Sequence, residues 1–264
     1  MKNRQTEKRE NRFSLDAEKI IFTAPASWEE LSQDELRYVL GLIVSMPSVR
    51  IKTSMLLRFC GIHVSKKTGW NSFLCYCLEG RRKVFFKLTS QRVAEMIEQF
   101  DYVDRPEDYA VRLDDAAGLK PVNALLHGLR FDAYLAAEKY YQGFLRTRNY
   151  MLLDRLGELL YRDTEGQIVH GVTFSDAERI NHFMWYGYVK RIFAKHFPHF
   201  LRPAVQDDGG ATETDIVRQM DIQIRALTDG DITKEKEILS IDCWRALTEL
   251  DAKAADAERL KNIK

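Results

Sequence analysis

Two helix-capping sequences set the positions of the main helices in this chain. Ser32-Gln33-Asp34-Glu35 and Ser175-Asp176-Ala177-Glu178 have capping-box spacing, in which a serine and a glutamate three residues later satisfy free amides at a helix start. Apolar residues recur at helical spacing after each box, and again over 131–160 and 231–250. The pattern predicts a mainly α protein with a multi-helix, bundle-like body.

The β structure is predicted to be a single hairpin. The segments Ser72–Leu78 and Lys83–Leu88 are rich in aromatic and branched residues, and they flank Glu79-Gly80-Arg81-Arg82. A glycine-containing turn between two such runs is typical of a β-hairpin. The sequence therefore predicts an α+β N-terminal half with one small β-hairpin.

Composition divides the chain into three parts. Residues 1–14 are polar and basic, and we expect them to form a disordered arm. Residues 15–105 are the predicted α+β subdomain with the hairpin, and residues 121–264 are the predicted helical domain with a charged helical tail. The boundary is predicted within 101–121, which is rich in Asp and reads as a loop closed by Pro121. Shorter predicted features are a strand over 18–23 and a flexible connection over 206–211.

Charge and hydropathy exclude several classes of protein. The chain has 40 basic and 39 acidic residues, so a net charge of +1 gives no overall attraction to nucleic acid or to an anionic membrane. The apolar run Tyr38–Met46 is far below the roughly 20 residues that a membrane span needs. Residues 1–10 lack the apolar core of a secretory signal. We expect a cytoplasmic protein without membrane association.

The sequence contains no pattern typical of a catalytic, cofactor or metal site. It lacks a phosphate-binding glycine loop and a Gly-x-Ser-x-Gly motif. Glu178 and His182 lie four residues apart and are interpreted as a surface contact, and Asp154 and Glu158 are likewise four apart with no predicted pocket. We predict no enzyme activity, cofactor or metal. The cysteines lack zinc-ligand spacing and are expected to be buried and reduced: Cys60, Cys75, Cys77 and Cys243.

The last fifth of the chain is predicted to bind a partner protein. An apolar stripe along a helix from about Asp231 to Leu250 is expected to pack on the preceding helix through Ile224 and Leu227. The charged, alanine-rich segment 252–264 has little to bury, which is typical of a helix that docks on another helical protein. The predicted partner-binding residues are Trp244, Leu247, Leu250 and Leu260.

Nucleic-acid binding is the alternative function. Arg81, Arg82 and Lys83 stand at the predicted hairpin tip, and aromatic residues in the strands could stack on bases. These aromatic residues are Tyr76, Phe85 and Phe86. The basic arm adds Lys2, Arg4, Lys8, Arg9 and Arg12. A charged turn that keeps a hairpin soluble is the competing interpretation of the same residues.

Four segments carry a resemblance to a protein family. They are Pro25-Ala26-Ser27-Trp28-Glu29-Glu30-Leu31-Ser32, Tyr140-Tyr141-Gln142-Gly143-Phe144-Leu145, Phe193-Ala194-Lys195-His196-Phe197-Pro198, and Leu227-Thr228-Asp229-Gly230-Asp231-Ile232 with Trp244-Arg245-Ala246-Leu247-Thr248-Glu249-Leu250. In them the chain resembles proteins encoded in bacterial prophages and related mobile elements. The resemblance implies a role in phage tail assembly or a chaperone-like role, and we expect a non-catalytic protein whose partner is another phage or mobile-element assembly protein.

Overall fold

The computed structural model describes residues 22–201 and 213–262, with side chains for all of these except residues 213–215. The chain forms two compact units, Met1–Ala110 and Val111–Lys264. The division between them falls within the segment 101–121, in which the boundary is predicted. The predicted arm over 1–14, the predicted connection over 206–211 and most of the predicted strand over 18–23 lie outside the described residues.

The first unit combines three helices with one antiparallel sheet. Ser32 caps its first helix as predicted, because the Ser32 side chain accepts from the Glu35 amide while Glu35 Oε2 accepts from the Ser32 amide at 2.8 Å. Thr89 caps the third helix by accepting from the Arg92 amide at 3.2 Å. The elements are α1 (Gln33–Ser45), α2 (Ser48–Phe59), β1 (His63–Gly69), β2 (Ser72–Glu79), β3 (Arg82–Thr89) and α3 (Ser90–Ile97).

The predicted hairpin is present as β2 and β3, and a third strand joins it. In the sheet order β1-β2-β3, β2 is the central strand and both pairings are antiparallel. The inner face of the sheet buries Cys75, Cys77, Phe86 and Leu88, and α2 and α3 face it through Leu57 and Val93. The sequence does not predict strand β1. All of its side chains are exposed, so it lacks the alternation of apolar and polar residues that indicates a half-buried strand.

The predicted loop over 101–121 is more ordered than expected within the first unit. Its beginning forms 3₁₀ turns over Glu98–Asp104 and Pro106–Asp108. Tyr102 and Tyr109 are buried on either side of the Trp28 ring, with ring centroids 5.3 Å and 5.0 Å away. Burial of these aromatic rings fixes a backbone that its Asp-rich composition predicts to be irregular.

The second unit is helical. As predicted, Ser175 and Glu178 form a capping box at the start of its longest described helix. The helices are α4 (Phe131–Thr147), α5 (Met151–Leu160), α6 (Asp176–His196), α7 (Glu213–Thr228), α8 (Glu235–Ser240) and α9 (Cys243–Asn262), and a two-stranded sheet pairs β4 (Lys120–Pro121) with β5 (Tyr161–Arg162). The predicted fold class, mainly α with a small amount of antiparallel β structure, is confirmed.

The predicted continuous helix from Asp231 to Leu250 is wrong, because the chain breaks between α8 and α9. At the break, the Phe131 amide donates to the Ile241 carbonyl and the Cys243 amide donates to the Leu129 carbonyl, both at 2.8 Å. The Asp242 side chain then accepts from the Trp244 amide at 2.8 Å. Pairing with the segment that leads into α4 therefore takes the place of helical hydrogen bonds at the break, and Asp242 serves as a cap for α9.

The packing of α5 against α6 depends on a glycine. A Cβ atom on Gly157 would lie 2.4 Å from Cε1 of His182 and 2.8 Å from the ring of Phe174. Both rings are buried, so neither has free space to retreat into. Only a residue without a side chain allows the backbone of α5 to lie against the His182 imidazole.

We expect Gly157→Ala to lower the free energy of unfolding by about 1–3 kcal/mol, because the added methyl overpacks a closed site. Urea denaturation followed by circular dichroism measures the change. Gly143→Ala is the matched control in α4, since its Cβ would meet only the end of the Leu152 side chain at 3.0 Å, which can rotate. Equal losses in the two variants would contradict the proposed role of Gly157.

Candidate nucleic-acid interface

The outer face of the three-stranded sheet carries an aromatic row that crosses all three strands. Tyr76 on the central strand is paired with His63 on one side and with Phe85 on the other. The rings of His63 and Tyr76 are stacked, with centroids 4.9 Å apart and an interplanar angle of 16°. The Tyr76 and Phe85 centroids are 5.6 Å apart. The three side chains thus form a continuous strip of ring surface on the face opposite the core.

Cations flank this aromatic row along the strands. Lys66 and Lys87 are both paired with Leu74, one pleat period before Tyr76 on β2. One period after Tyr76, Leu78 is paired with Lys83, whose Nζ lies 4.5 Å from the centre of the Tyr76 ring. Since side chains on one face repeat every two residues, the charged rows stand about 7 Å from the aromatic row.

The charge of this segment differs from that of the chain. Residues 63–89 contain six basic residues and a single carboxylate, Glu79, which gives a net charge of +5. The basic residues are Lys66, Lys67, Arg81, Arg82, Lys83 and Lys87. Within residues 22–201 and 213–262, none of the six forms an ion pair. A local positive potential is therefore present in a chain whose total charge is close to zero.

Trp70 is a surface aromatic residue that the sequence interpretation missed. It lies in the turn between β1 and β2, and its side chain is 89% exposed. The sequence feature that could have identified it is its place between Gly69 and Asn71, two residues typical of turns. This feature indicates a turn between strands only when the segment before it is recognised as strand β1. Phe86, in contrast, was wrongly included among the stacking residues, because it is buried on the inner face while Phe85 is 54% exposed.

The predicted partner-binding residues do not form one surface. Leu247 and Leu250 are buried in the second unit, so they belong to its core and are removed from the predicted docking face. Trp244 is half-buried, and its Nε1 donates to the Leu125 carbonyl at 2.6 Å while its ring stacks on His127 at 4.5 Å. Leu260 alone of the four is exposed, at 67%.

Much of the predicted free tail is attached to the second unit. Asp251 Oδ1 accepts from the amides of His199 and Phe200 at 2.8 Å and 2.9 Å. Lys253 Nζ donates to the Ala226 carbonyl at 2.7 Å, and Glu258 Oε2 lies 3.1 Å from His199 Nδ1. The segment 252–264, which the sequence predicts to have little to bury, is thus in contact with the second unit through Lys253 and Glu258, and its docking on a partner stays a prediction.

Glu178 and His182 form a buried pair instead of the predicted surface contact. Glu178 Oε1 accepts from the Ala117 amide at 2.8 Å, and Oε2 accepts from Ser175. Burial opposes ionisation of Glu178, but these hydrogen bonds hold its pKa below the usual value. Burial lowers the pKa of His182 to about 4. The imidazole has no exposed surface, so it is a core group and has no access to a substrate.

Asp154 and Glu158 also have structural partners. Asp154 accepts two hydrogen bonds from the Arg179 guanidinium, at 2.8 Å and 2.9 Å. The buried Glu158 accepts from Arg155 at 3.0 Å and from the Gly171 amide at 2.7 Å. Burial opposes ionisation of Glu158, yet these two donors keep its pKa below the usual value. The two carboxylates thus belong to separate ion pairs, Asp154 with Arg179 and Glu158 with Arg155.

An open cavity of about 630 Å³ lies at the start of α4 in the second unit. Two arginines line it, but both have internal partners. Arg130 is paired with Asp132 at 2.6 Å, and Arg162 donates to the carbonyls at the end of α5, including that of Leu159 at 2.8 Å. Because both guanidinium groups already bind other groups of the protein, the cavity is a weaker candidate for a binding site than the sheet face.

Other classes of site find no support in the part of the chain that the structure describes. No three His, Cys, Asp or Glu side chains come together there in a way that could hold a metal ion. None of the helices described is both long and apolar enough to cross a membrane. All four cysteines are buried and free, as predicted, and burial raises the pKa of each thiol.

Comparison of the chain with protein-family models, with curated proteins and with solved structures gives no match.

The buried His182 makes stability depend on pH in a defined window. Because its pKa is lowered from 6.5 to about 4 on folding, the unfolded chain takes up a proton first as pH falls. The contribution of the neutral His182 to the free energy of unfolding is therefore fully present above pH 6.5 and is lost as the pH falls from 6.5 to 4. The free energy of unfolding should decrease by about 2 kcal/mol between pH 7 and pH 5. Urea denaturation of the wild type and of His182→Gln measures this loss.

We expect His182→Gln to lose less stability than the wild type between pH 7 and pH 5, whatever its stability at pH 7. The matched control is His196→Gln, an exposed position in the same helix, which should keep the wild-type dependence. An unchanged dependence in His182→Gln would mean that His182 does not titrate in this range.

Proposed function

We propose that the first unit binds nucleic acid through the outer face of its three-stranded sheet. The observation that carries the proposal is the position of Lys66, Lys83 and Lys87, which form no ion pair within the described residues, on the same face as the aromatic row of His63, Tyr76 and Phe85 and on both sides of it. Lysine and arginine side chains contact phosphates and release condensed counterions, which is the main source of affinity for nucleic acid. Aromatic rings beside these cations supply the second component, stacking on bases.

The sheet face favours this alternative over the assembly role. Leu247 and Leu250 are buried and the tail is attached as far as Glu258, so little of the predicted docking surface is available. The assembly role, the partner protein and the resemblance to prophage proteins stay predictions, with the exposed Leu260 as the remaining surface. Nucleic-acid binding draws on three rings and three lysines that share the outer face of the sheet.

The charged rows also explain how a nearly neutral chain could bind a polyanion. Electrostatic attraction falls off over about 8–10 Å at physiological ionic strength, so a local cluster matters more than the net charge of distant parts. Lys66, Lys83 and Lys87 occupy outer-face positions, and Arg81 and Arg82 lie at or next to the turn beside them. A phosphate backbone laid across the strands would meet cations on both sides of the aromatic row.

We expect the triple substitution Lys66→Glu, Lys83→Glu, Lys87→Glu to weaken binding of a fluorescent oligonucleotide by at least about tenfold at 50 mM salt. Each lost phosphate contact removes about 0.7–0.9 from the slope of log affinity against log salt, so the slope should flatten by about 2 to 3. Fluorescence anisotropy at several salt concentrations measures both quantities.

The matched control reverses three exposed lysines of the second unit: Lys195→Glu, Lys236→Glu and Lys261→Glu. It makes the same change in total charge and should keep both the affinity and the salt slope. Equal weakening in the two triple variants would show attraction to the whole chain and would contradict a site on the sheet. Absence of binding by the wild type at 50 mM salt would refute the proposed function.

A further inference from the structure

We infer that the sheet face takes single-stranded nucleic acid, with bases stacked on the rings of Phe85 and Trp70. This inference rests on the proposed function and adds to it the form of the ligand and the residues that hold the bases. Single-stranded DNA and single-stranded RNA present the same chemistry to such a face, which is an accessible base ring on a polyanionic backbone.

Phe85 is an exposed ring at the β3 end of the aromatic row. The ring of Tyr76 is contacted by the stacked ring of His63 and by the Lys83 ammonium, and His63, although exposed, has its ring stacked on Tyr76. Phe85 contacts Tyr76 at 5.6 Å in a tilted arrangement, and 54% of its surface remains exposed. Phe85 is thus in contact with Tyr76 on one side, and more than half of its surface is open to a ligand.

Trp70 offers a second ring at the end of the sheet. No ring or hydrogen-bond partner is recorded for it within the described residues, so this large side chain stands in solvent on a two-residue turn. The turn immediately precedes Ser72, which lies four residues before Tyr76 on β2, a distance of about 13 Å along the strand. Lys66 and Lys87 lie between the two rings, at the Leu74 position. A nucleic-acid strand that lies along β2 would thus contact the ring of Trp70, then the ammonium groups of Lys66 and Lys87, and then the ring of Phe85.

The exposed rings favour a single strand over a duplex. In a duplex each base is stacked between its neighbours, so a side chain reaches only base edges and phosphates. Rings that project from a sheet find partners where bases are unstacked and can be splayed onto protein. The cations alone could bind the phosphates of a duplex or of a single strand. The exposed rings of Phe85 and Trp70 are the feature that favours the single strand.

The test measures binding of oligo(dT) and oligo(U) of about 12 nucleotides, a length within the site sizes of comparable surfaces. We expect Phe85→Ala and Trp70→Ala each to weaken affinity about tenfold without changing the salt slope, because stacking is lost while phosphate contacts remain. Phe85→Tyr and Trp70→Phe keep a ring and should stay within a few-fold of the wild type. Oligonucleotide should quench tryptophan fluorescence in the wild type more than in Trp70→Phe, since of the other three tryptophans Trp28 and Trp185 are buried and Trp244 is half-buried.

The matched control is Leu78→Ala, which removes an aliphatic side chain of similar exposure, 56%, from the same outer face. It should leave affinity unchanged, and a duplex of equal length should bind more weakly than either single strand. Wild-type affinity in both alanine variants, or equal binding of the duplex, would overturn the stacking inference while leaving nucleic-acid binding intact. Binding to neither nucleic acid at 50 mM salt would overturn both proposals.

Discussion

The pairing of Tyr76 with a residue on each neighbouring strand is the constraint on which the candidate interface depends. Antiparallel pairing to β1 and β3 at this position aligns His63, Tyr76 and Phe85 in one row. A shift of one residue in either pairing would turn the side chains of an edge strand to the opposite face. The register is fixed by the inner face, where Cys75, Cys77, Phe86 and Leu88 are buried. Core packing on one side of the sheet thus sets the order of rings and cations on the other.

The parts of the fold that were predicted from sequence are those determined by local chemistry. The two capping boxes satisfy amides within one helical turn, so Ser32 and Ser175 mark helix starts without reference to the rest of the chain. The β2–β3 hairpin likewise follows from two apolar runs and a glycine turn. Strand β1 has no such signal, because hydrogen bonds to β2 hold it and its side chains all face solvent.

The errors came from contacts between distant residues. The break between α8 and α9 arises where Ile241 and Cys243 pair with the residues that precede α4, and helical periodicity gives no sign of it. His182 looked like a surface residue because its burial depends on the space left by Gly157 on another helix. At the candidate interface the basic turn was predicted, but alternation in β3 separates Phe85 from Phe86, and that distinction needed the register with β2.

Protection of the sheet edges is the competing explanation of its lysines, and it accounts for only part of the arrangement. Charged side chains on edge strands do discourage aggregation, and β1 and β3 are the edges of this sheet. Charges of either sign would serve that purpose, and mixed signs avoid self-repulsion. Here the charges are of one sign, whereas cations of the second unit such as Arg155 and Arg179 are paired with carboxylates. Edge protection also gives no reason for exposing Phe85 and Trp70, since exposed rings promote the association that the charges would prevent. A ligand that is both anionic and aromatic accounts for the two features together.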